Sequence, residues 1–322
     1  MSRRIEIVMY HYVRDLARSR YPDIKGRTVE EFRGQLDWIR AHRTVVGADA
    51  VLEAVATGAP LPECACLLTF DDAFIDHHAV VFPILRDLGL PGAFFPPARV
   101  VLEHRVLDVN KLHFVLAAVA DKAALLDAMF RQMAALRDEF ALPPDAHYRA
   151  AVDVSGNRWD TPDVAFFKRM LQRELPGAAR TRIADRLFRE FVSDDEAAFA
   201  RSLYMSVAQM REMAAAGMFF GSHGYNHAWL NRLPPEEQER EIDLGLAFLR
   251  DLGAPTDRWM MNYPYGGWNE SLLGILRRKG CTAGLSTRVD VADLDRDDPL
   301  LLPRVNTNDL PVRADAPAQG AP

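Results

Sequence analysis

Leu67-Leu68-Thr69-Phe70-Asp71-Asp72 runs from an apolar, strand-forming stretch straight into two adjacent carboxylates. A buried parallel strand delivers polar chemistry at its C-terminal end in this way. Side chains alternate along a strand, so Asp71 and Asp72 leave it in different directions. One carboxylate can then hold a metal while the other handles a proton. Burying two unpaired carboxylates is costly, so a cation is their natural companion.

Further ligands for that cation stand much later in the chain. Met218-Phe219-Phe220-Gly221-Ser222 reads as a second short strand, running into His223-Gly224-Tyr225-Asn226-His227. Histidines at i and i+4 share one face of a helical turn, and a tight loop can converge them as well. Asp72, His223 and His227 together suit one divalent ion, zinc first, with cobalt, nickel or manganese as alternatives. H-x3-H alone is a weak signal, and the strand-end Asp-Asp is what strengthens it.

Thr69-Phe70-Asp71-Asp72 and His223-Gly224-Tyr225-Asn226-His227 resemble the first two signature motifs of the polysaccharide deacetylases. These are the NodB-homology enzymes of carbohydrate esterase family four. Gly224 stands where that family carries Ser or Thr. A third motif, R-x-P-Y, is similar to Asn262-Tyr263-Pro264-Tyr265, with Asn in place of Arg. The resemblance spans about residues 4–100 and 203–310. It implies a distorted (β/α)7 barrel with its chemistry at the C-terminal ends of the strands.

The remaining chain fits an α/β protein. Ile5–Tyr10 reads as a first strand ending in His11, either a residue of the barrel mouth or a plain strand cap. The polar loop Arg14–Arg27 could meet an anionic sugar nucleotide through its Arg, Tyr and Lys residues, and solvated surface is the favoured reading. Thr28-Val29-Glu30-Glu31 opens a helix with a capping-box pattern. A helix is expected over Ala79–Leu88, with Gly89 as its C-cap and His77 and His78 as surface or helix-start residues. Strands are expected over Arg258–Tyr263, Cys281–Leu285 and Leu300–Arg304. Alternating strands and helices favour a largely parallel sheet. Residues 101–201 carry only helical patterns, among them Leu125, Met129, Met133, Leu136 and Phe140 at 3–4 spacing. The expected organisation is a discontinuous barrel of residues 1–100 and 202–312, a helical insertion at 101–201, and a disordered tail at 313–322.

Bulk properties narrow the function classes. The chain has 322 residues, 49% of them hydrophobic, and a net charge of −6. No Lys/Arg block marks a nucleic-acid surface, and no apolar run is long enough for a membrane span. The three cysteines, Cys64, Cys66 and Cys281, do not make a disulfide framework and suit a reducing compartment. Met1–His11 lacks the apolar core of a secretory signal, so a cytoplasmic location is expected.

The reading that follows is a metal-dependent hydrolase that removes an N-acyl group from an amino sugar, as part of glycan biosynthesis. The sugar could be nucleotide-linked, lipid-linked or part of an oligosaccharide, and a homo-oligomer is left open. Asp71 is the expected general base. The family resemblance implies the backbone N–H of Tyr265 as an oxyanion donor. Trp229, Trp268 and Tyr263 flank the motifs and are candidates for stacking on a sugar ring, or are core. The family's Arg partner of the base is absent at Asn262, so Arg304 is expected to supply that charge, with a surface pairing to Asp309 as the alternative. The family's late Leu-x-His, source of its general acid, has no counterpart, and His11 or a metal-bound water is the candidate for that role. Two other readings compete: a sugar-binding relative without catalysis, and a metal hydrolase of a non-sugar amide.

Overall fold

The computed structural model describes residues 2–155 and 160–317. The end of the expected tail, from residue 318, lies outside them. Two compact units divide the chain: residues 1–15, 26–104 and 201–322 form one, and residues 16–25 and 105–200 the other.

Among the described residues, nine strands belong to the first unit: β1 Arg4–Tyr10, β2 Thr44–Val45, β3 Ala65–Asp71, β4 Ala93–Phe95, β5 Phe219–Phe220, β6 Trp259–Asn262, β7 Cys281–Leu285, β8 Ala292–Asp293 and β9 Val305–Asn306. Every residue of β3 is buried, as the apolar run before Asp71 requires. It pairs in parallel with β1 (Ile5 opposite Ala65, Tyr10 opposite Phe70) and with β4 (Thr69 opposite Ala93, Asp71 opposite Phe95). β4 pairs with β5, β6 with β7, and β9 with β1, all parallel.

Single bridges close this set into a ring. Ser222 N–H donates to Met260 O at 3.0 Å and Asn262 N–H to Ser222 O at 2.8 Å, joining the end of β5 to β6. Ser286 N–H donates to Leu302 O and Leu302 N–H to Gly284 O, each at 2.8 Å, joining β7 to the segment before β9. The circuit β1–β3–β4–β5–β6–β7–β9 is an irregular α/β barrel, as the family resemblance implies. Two short strands lie off it: β2 pairs in parallel with β3, and β8 pairs antiparallel with the start of β1.

Strand alternation sorts the side chains of the ring. Ile5 and Ile7, Ala65 and Leu67, Ala93 and Phe95, and Ala283 and Leu285 join one buried cluster with Leu302 and the helix Ala48–Thr57. Phe70 stands on the opposite face of β3, stacked between Tyr10 and Phe94 at centroid distances of 5.2 and 4.8 Å. Asp71 has the parity of Leu67 and therefore continues the inner face upward. The capping box at Thr28 forms as expected: Glu31 N–H donates to Thr28 Oγ1 at 3.1 Å, and Thr28 N–H to Glu31 Oε2 at 2.9 Å.

Some expected elements differ. Leu300–Arg304 is not a strand: a 3-10 turn covers Pro299–Leu301, and β9 begins only after Arg304. Pro299 and Pro303 withhold the N–H groups that a continuous strand would donate. The helix expected from Ala79 is a wide π-turn over His77–Val81 followed by an α-helix over Phe82–Asp87, because Pro83 has no N–H for a regular α-helical bond to residue 79. His77 is fully buried rather than superficial. Towards the chain's other end, Trp38 Nε1–H donates to Ala316 O at 3.0 Å, so the expected tail touches the barrel unit at Ala316.

The second unit is helical, including Asp108–Ala118, Lys122–Ala134 and Gly177–Phe191. Leu125, Met129, Met133 and Leu136 are buried, while Phe140 is only half-buried. Lys111 is enclosed within it and paired to Asp185 and Glu196, the latter at 2.9 Å. Residues 16–25, read from sequence as solvated loop, group with these helices, because Tyr21 is buried with its ring edge-on to Phe114 at 5.1 Å.

Candidate metal centre

Asp71 ends β3, and Asp72 is the residue after it. Asp72 N–H extends the ladder by one bond, to Phe95 O at 3.2 Å. Its own backbone then turns left-handed, with φ 73°, a conformation that non-glycine residues seldom adopt and that gathers at functional sites. The two carboxylates therefore meet different partners.

Asp72 faces the histidines of the loop after β5. His223 Nε2 lies 3.6 Å and His227 Nε2 3.5 Å from Asp72 Oδ1. His223 Nδ1–H donates to Asn262 O at 2.7 Å, which leaves the Nε2 lone pair directed at the cluster. One ligand atom from each of Asp72, His223 and His227 falls within 4.8 Å of the other two, and all three residues are buried. The loop reaches this shape through left-handed steps at Gly224 (φ 71°) and His227 (φ 55°), not through a helical turn.

The donor set fits a divalent cation. Two neutral imidazole nitrogens and a carboxylate oxygen converge at spacings too long for good hydrogen bonds, with room for an ion among them. Burial pushes His227 down to about 3, so its imidazole stays neutral and available as a ligand. Burial pushes the Asp72 carboxyl up, but His223 and His227 beside it more than reverse that, holding it well below the usual carboxylate range.

Asp71 faces Arg304. The Arg304 guanidinium is 2% exposed and donates through Nη1 to both Asp71 oxygens, at 3.0 and 2.8 Å. Its Nε–H donates to Ser286 O at 3.1 Å, which fixes the head group. The sequence alternative, a surface Arg304 paired to Asp309, does not occur. Two positions before Arg304, Leu302 belongs to the inner cluster, so the alternation that buries Leu302 also turns Arg304 inward. Burial raises the Asp71 pKa, and Arg304 first, then His11 and His223, outweigh it, so the net shift is downward. His11 Nε2 lies 3.8 Å from Asp71 Oδ2, with 40% of its side chain exposed.

The aromatic candidates divide. The rings of Trp229 and Tyr265 stack at 4.6 Å with 4° between their planes, and the Tyr265 ring meets His227 edge-on at 4.7 Å. Tyr265 also has a left-handed backbone, φ 58°. Tyr263 is not a sugar-stacking residue: it is 1% exposed and its hydroxyl donates to Leu300 O at 2.8 Å, as core. Trp268 is 38% exposed and adjoins Gly267, where an added Cβ would meet Trp229 at 3.3 Å.

Sequence reasoning missed two residues. His77 Nε2–H donates to the main-chain carbonyl of His11 at 2.9 Å, supporting the strand end that carries the His11 side chain. Glu241, on the helix Pro235–Leu252, accepts from Tyr225 N–H at 3.1 Å and Asn226 N–H at 2.8 Å, inside the histidine loop. A glutamate at a buried position of an amphipathic helix was the available signal for it.

Residues 191–284 match the family model for polysaccharide deacetylase. That stretch of the chain is similar to the polysaccharide deacetylases, the NodB-homology group. The matched residues contain the histidine loop and the Asn262–Tyr265 motif, whereas Asp71 and Asp72 lie before them. YxkH of Bacillus subtilis (strain 168) is 31% identical over 94 residues, 29% of this chain and 33% of that one. The poly-beta-1,6-N-acetyl-D-glucosamine N-deacetylase of Escherichia coli (strain K12) is 33% identical over 91 residues, 28% of this chain and 13% of that one. The chain thus spans a third or less of each of these relatives. The deacetylase PplD of Streptococcus pyogenes, solved with acetate, superposes over 94% of this chain and 92% of its own, with a TM-score of 0.57 at 17% identity. IcaB from Ammonifex degensii superposes over 94% and 91%, with a TM-score of 0.55 at 20% identity. At these identities the likeness is one of fold. The chain differs from the deacetylase motifs it resembles at Gly224 and Asn262.

Proposed function

We propose that the protein is a metal-dependent N-deacetylase of amino sugars. The observation that carries this reading is the pairing of Asp71 with Arg304 beside the Asp72–His223–His227 cluster. One carboxylate is held ionised by a buried cation, and its neighbour completes a divalent-metal ligand set. The family match and the N-deacetylase activity named for the Escherichia coli relative support it.

Asp72, His223 and His227 would hold the ion, with zinc as the first choice for this ligand set. Such an ion supplies Lewis-acid polarisation and a lowered pKa for water. Asp71 takes the proton from the water that attacks the acyl carbon. Arg304 keeps Asp71 in the form able to accept it. The Tyr265 N–H, at the left-handed turn after Pro264, donates to the oxyanion. His11 is the candidate to return a proton to the departing amine. Trp229, stacked on Tyr265, offers an apolar wall for a sugar ring. The N-acetylated sugar is an oligosaccharide or a nucleotide- or lipid-linked glycan precursor.

The test is acetate release from a panel of N-acetylated oligosaccharides and sugar nucleotides, using protein reconstituted with zinc. Release that chelation abolishes and zinc restores is expected. Metal-loaded, folded protein that releases acetate from none of them would overturn the reading.

A further inference from the structure

The loop His223–His227 carries two of the three proposed metal ligands, and its backbone is awkward to bury. It turns through left-handed residues at Gly224 and His227, so its amides cannot pair in a regular ladder. Two elements of the barrel unit satisfy them. On one side, Ala98 N–H donates to Gly224 O at 3.3 Å and Arg99 N–H to Tyr225 O at 3.0 Å. On the other, Glu241 takes the successive N–H groups of Tyr225 and Asn226 on one oxygen, Oε2, while Oε1 accepts from the Asn226 side-chain amide. Both Glu241 oxygens are thus committed to the loop, and the residue is buried.

The helix that carries Glu241 is fitted to this task. Gly245, one turn later on the same face, allows close approach: a Cβ there would lie 2.8 Å from Ser222 Oγ. Ser222 Oγ in turn accepts from Gly224 N–H at 3.2 Å. A Cβ at Gly224 would lie 3.5 Å from Glu241 Oε2, so the carboxylate rests directly against the loop. A carboxylate that accepts charge-assisted bonds from consecutive amides holds them in one geometry more firmly than a neutral group does.

We propose that Glu241 is a positioning residue of the metal centre, clamping the 223–227 loop so that His227 meets Asp72 and His223 at a common point. This rests on the metal reading above. Groups that orient ligands without touching the metal typically change affinity by about 10–100-fold when removed.

The experiment measures Zn2+ affinity of the chelator-stripped full chain by competition with a calibrated chelator, alongside amide hydrogen exchange. Glu241→Gln keeps the size but loses the charge and one acceptor. It should weaken Zn2+ binding at least about tenfold and speed exchange at Tyr225 and Asn226, leaving β3 amides unchanged. The exposed Glu237→Gln on the same helix should match wild type, and His227→Ala should lose the tight site. If wild type binds Zn2+, His227→Ala does not, and Glu241→Gln keeps wild-type affinity, the clamp is refuted while the metal reading stands. If wild type and His227→Ala bind Zn2+ alike, the metal reading fails, and with it the clamp's role in metal binding. Should Glu241→Gln not fold, Glu241→Asp, which withdraws the carboxylate by one methylene, replaces it with the same expected direction. Wild-type affinity and exchange in that variant would also refute the clamp.

Discussion

At the scale of single residues, the site separates two neighbouring carboxylates by their partners. Asp71→Asn should keep its metal and lose at least about a hundredfold in turnover, the usual scale for a general base. Asp72→Asn should lose the metal as well. Metal analysis beside single-turnover acetate release separates the two, and a near-normal rate for Asp71→Asn would remove Asp71 from the mechanism. Arg304 is the stronger test. It lowers the pKa of Asp71 against the upward push of burial, so removing it raises that pKa. Arg304→Met should therefore move the acid limb of the pH–rate profile to higher pH and reduce turnover, with metal content unchanged. Stability follows the same sign. A carboxylate with a depressed folded pKa contributes stability above its unfolded value, here near 3.8, and loses it as pH falls through the folded value. Leaving Asp71 buried without its cation costs about 3–5 kcal/mol. The gap in unfolding free energy between wild type and Arg304→Met should be widest at neutral pH and narrow below about pH 4. A gap that is constant with pH would dissociate the pair from stability.

At the scale of elements, barrel closure depends on single bridges where strands are too short to pair at length. Gly284 in β7 faces the Leu300–Leu302 segment, and a Cβ there would meet Tyr263 Oη and, closer still, the Leu300 carbonyl. Backbone cannot swing away as a side-chain tip can. Gly284→Ala should therefore destabilise by at least about 1–3 kcal/mol, the range for overpacking, measured by denaturant unfolding. Because that segment leads directly to Arg304, the variant should also shift the acid limb in the direction of Arg304→Met. Unchanged stability would mean that the segment is not held as closely as its hydrogen bonds to Gly284 and Ser286 indicate.

At the scale of the whole molecule, the three candidate ligands Asp72, His223 and His227 come from two segments far apart in sequence, so metal binding would be a property of the folded barrel. An ion that binds only the folded state stabilises it by mass action, about 2.7 kcal/mol at a hundredfold excess over Kd. Chelator-stripped protein should unfold at a lower temperature than zinc-loaded protein, and His227→Ala should show no such difference. Calorimetry with and without Zn2+ checks this. An equal midpoint in both conditions would argue against a site formed on folding. Among the described residues, no helix is long and apolar enough to cross a membrane, in keeping with the absence of an apolar run in the sequence.

Some of this was legible in the chain because the signals are local. An apolar run ending in Asp71-Asp72 implies a strand end, Thr28 and Glu31 imply a capped helix start, and histidines at i and i+4 can share a ligand whatever loop carries them. Arg304 was placed at the rim by the apolar run Leu300–Pro303 before it, although that run is not a strand and β9 begins only after Arg304. Other features depend on distance in the fold. Tyr263 sits beside the site in sequence, yet the parity of its backbone sends its hydroxyl to Leu300 in the core. Tyr21 lies in a polar stretch, and only the helices around Phe114 bury it. His77 and Glu241 carry no motif; their partners are the His11 carbonyl and the Tyr225 and Asn226 amides, backbone groups that every residue possesses. Sequence alone therefore determined which side chains could do the chemistry. Tertiary structure decided which main-chain groups hold them in place, because a backbone hydrogen bond is chosen by geometry and not by residue type.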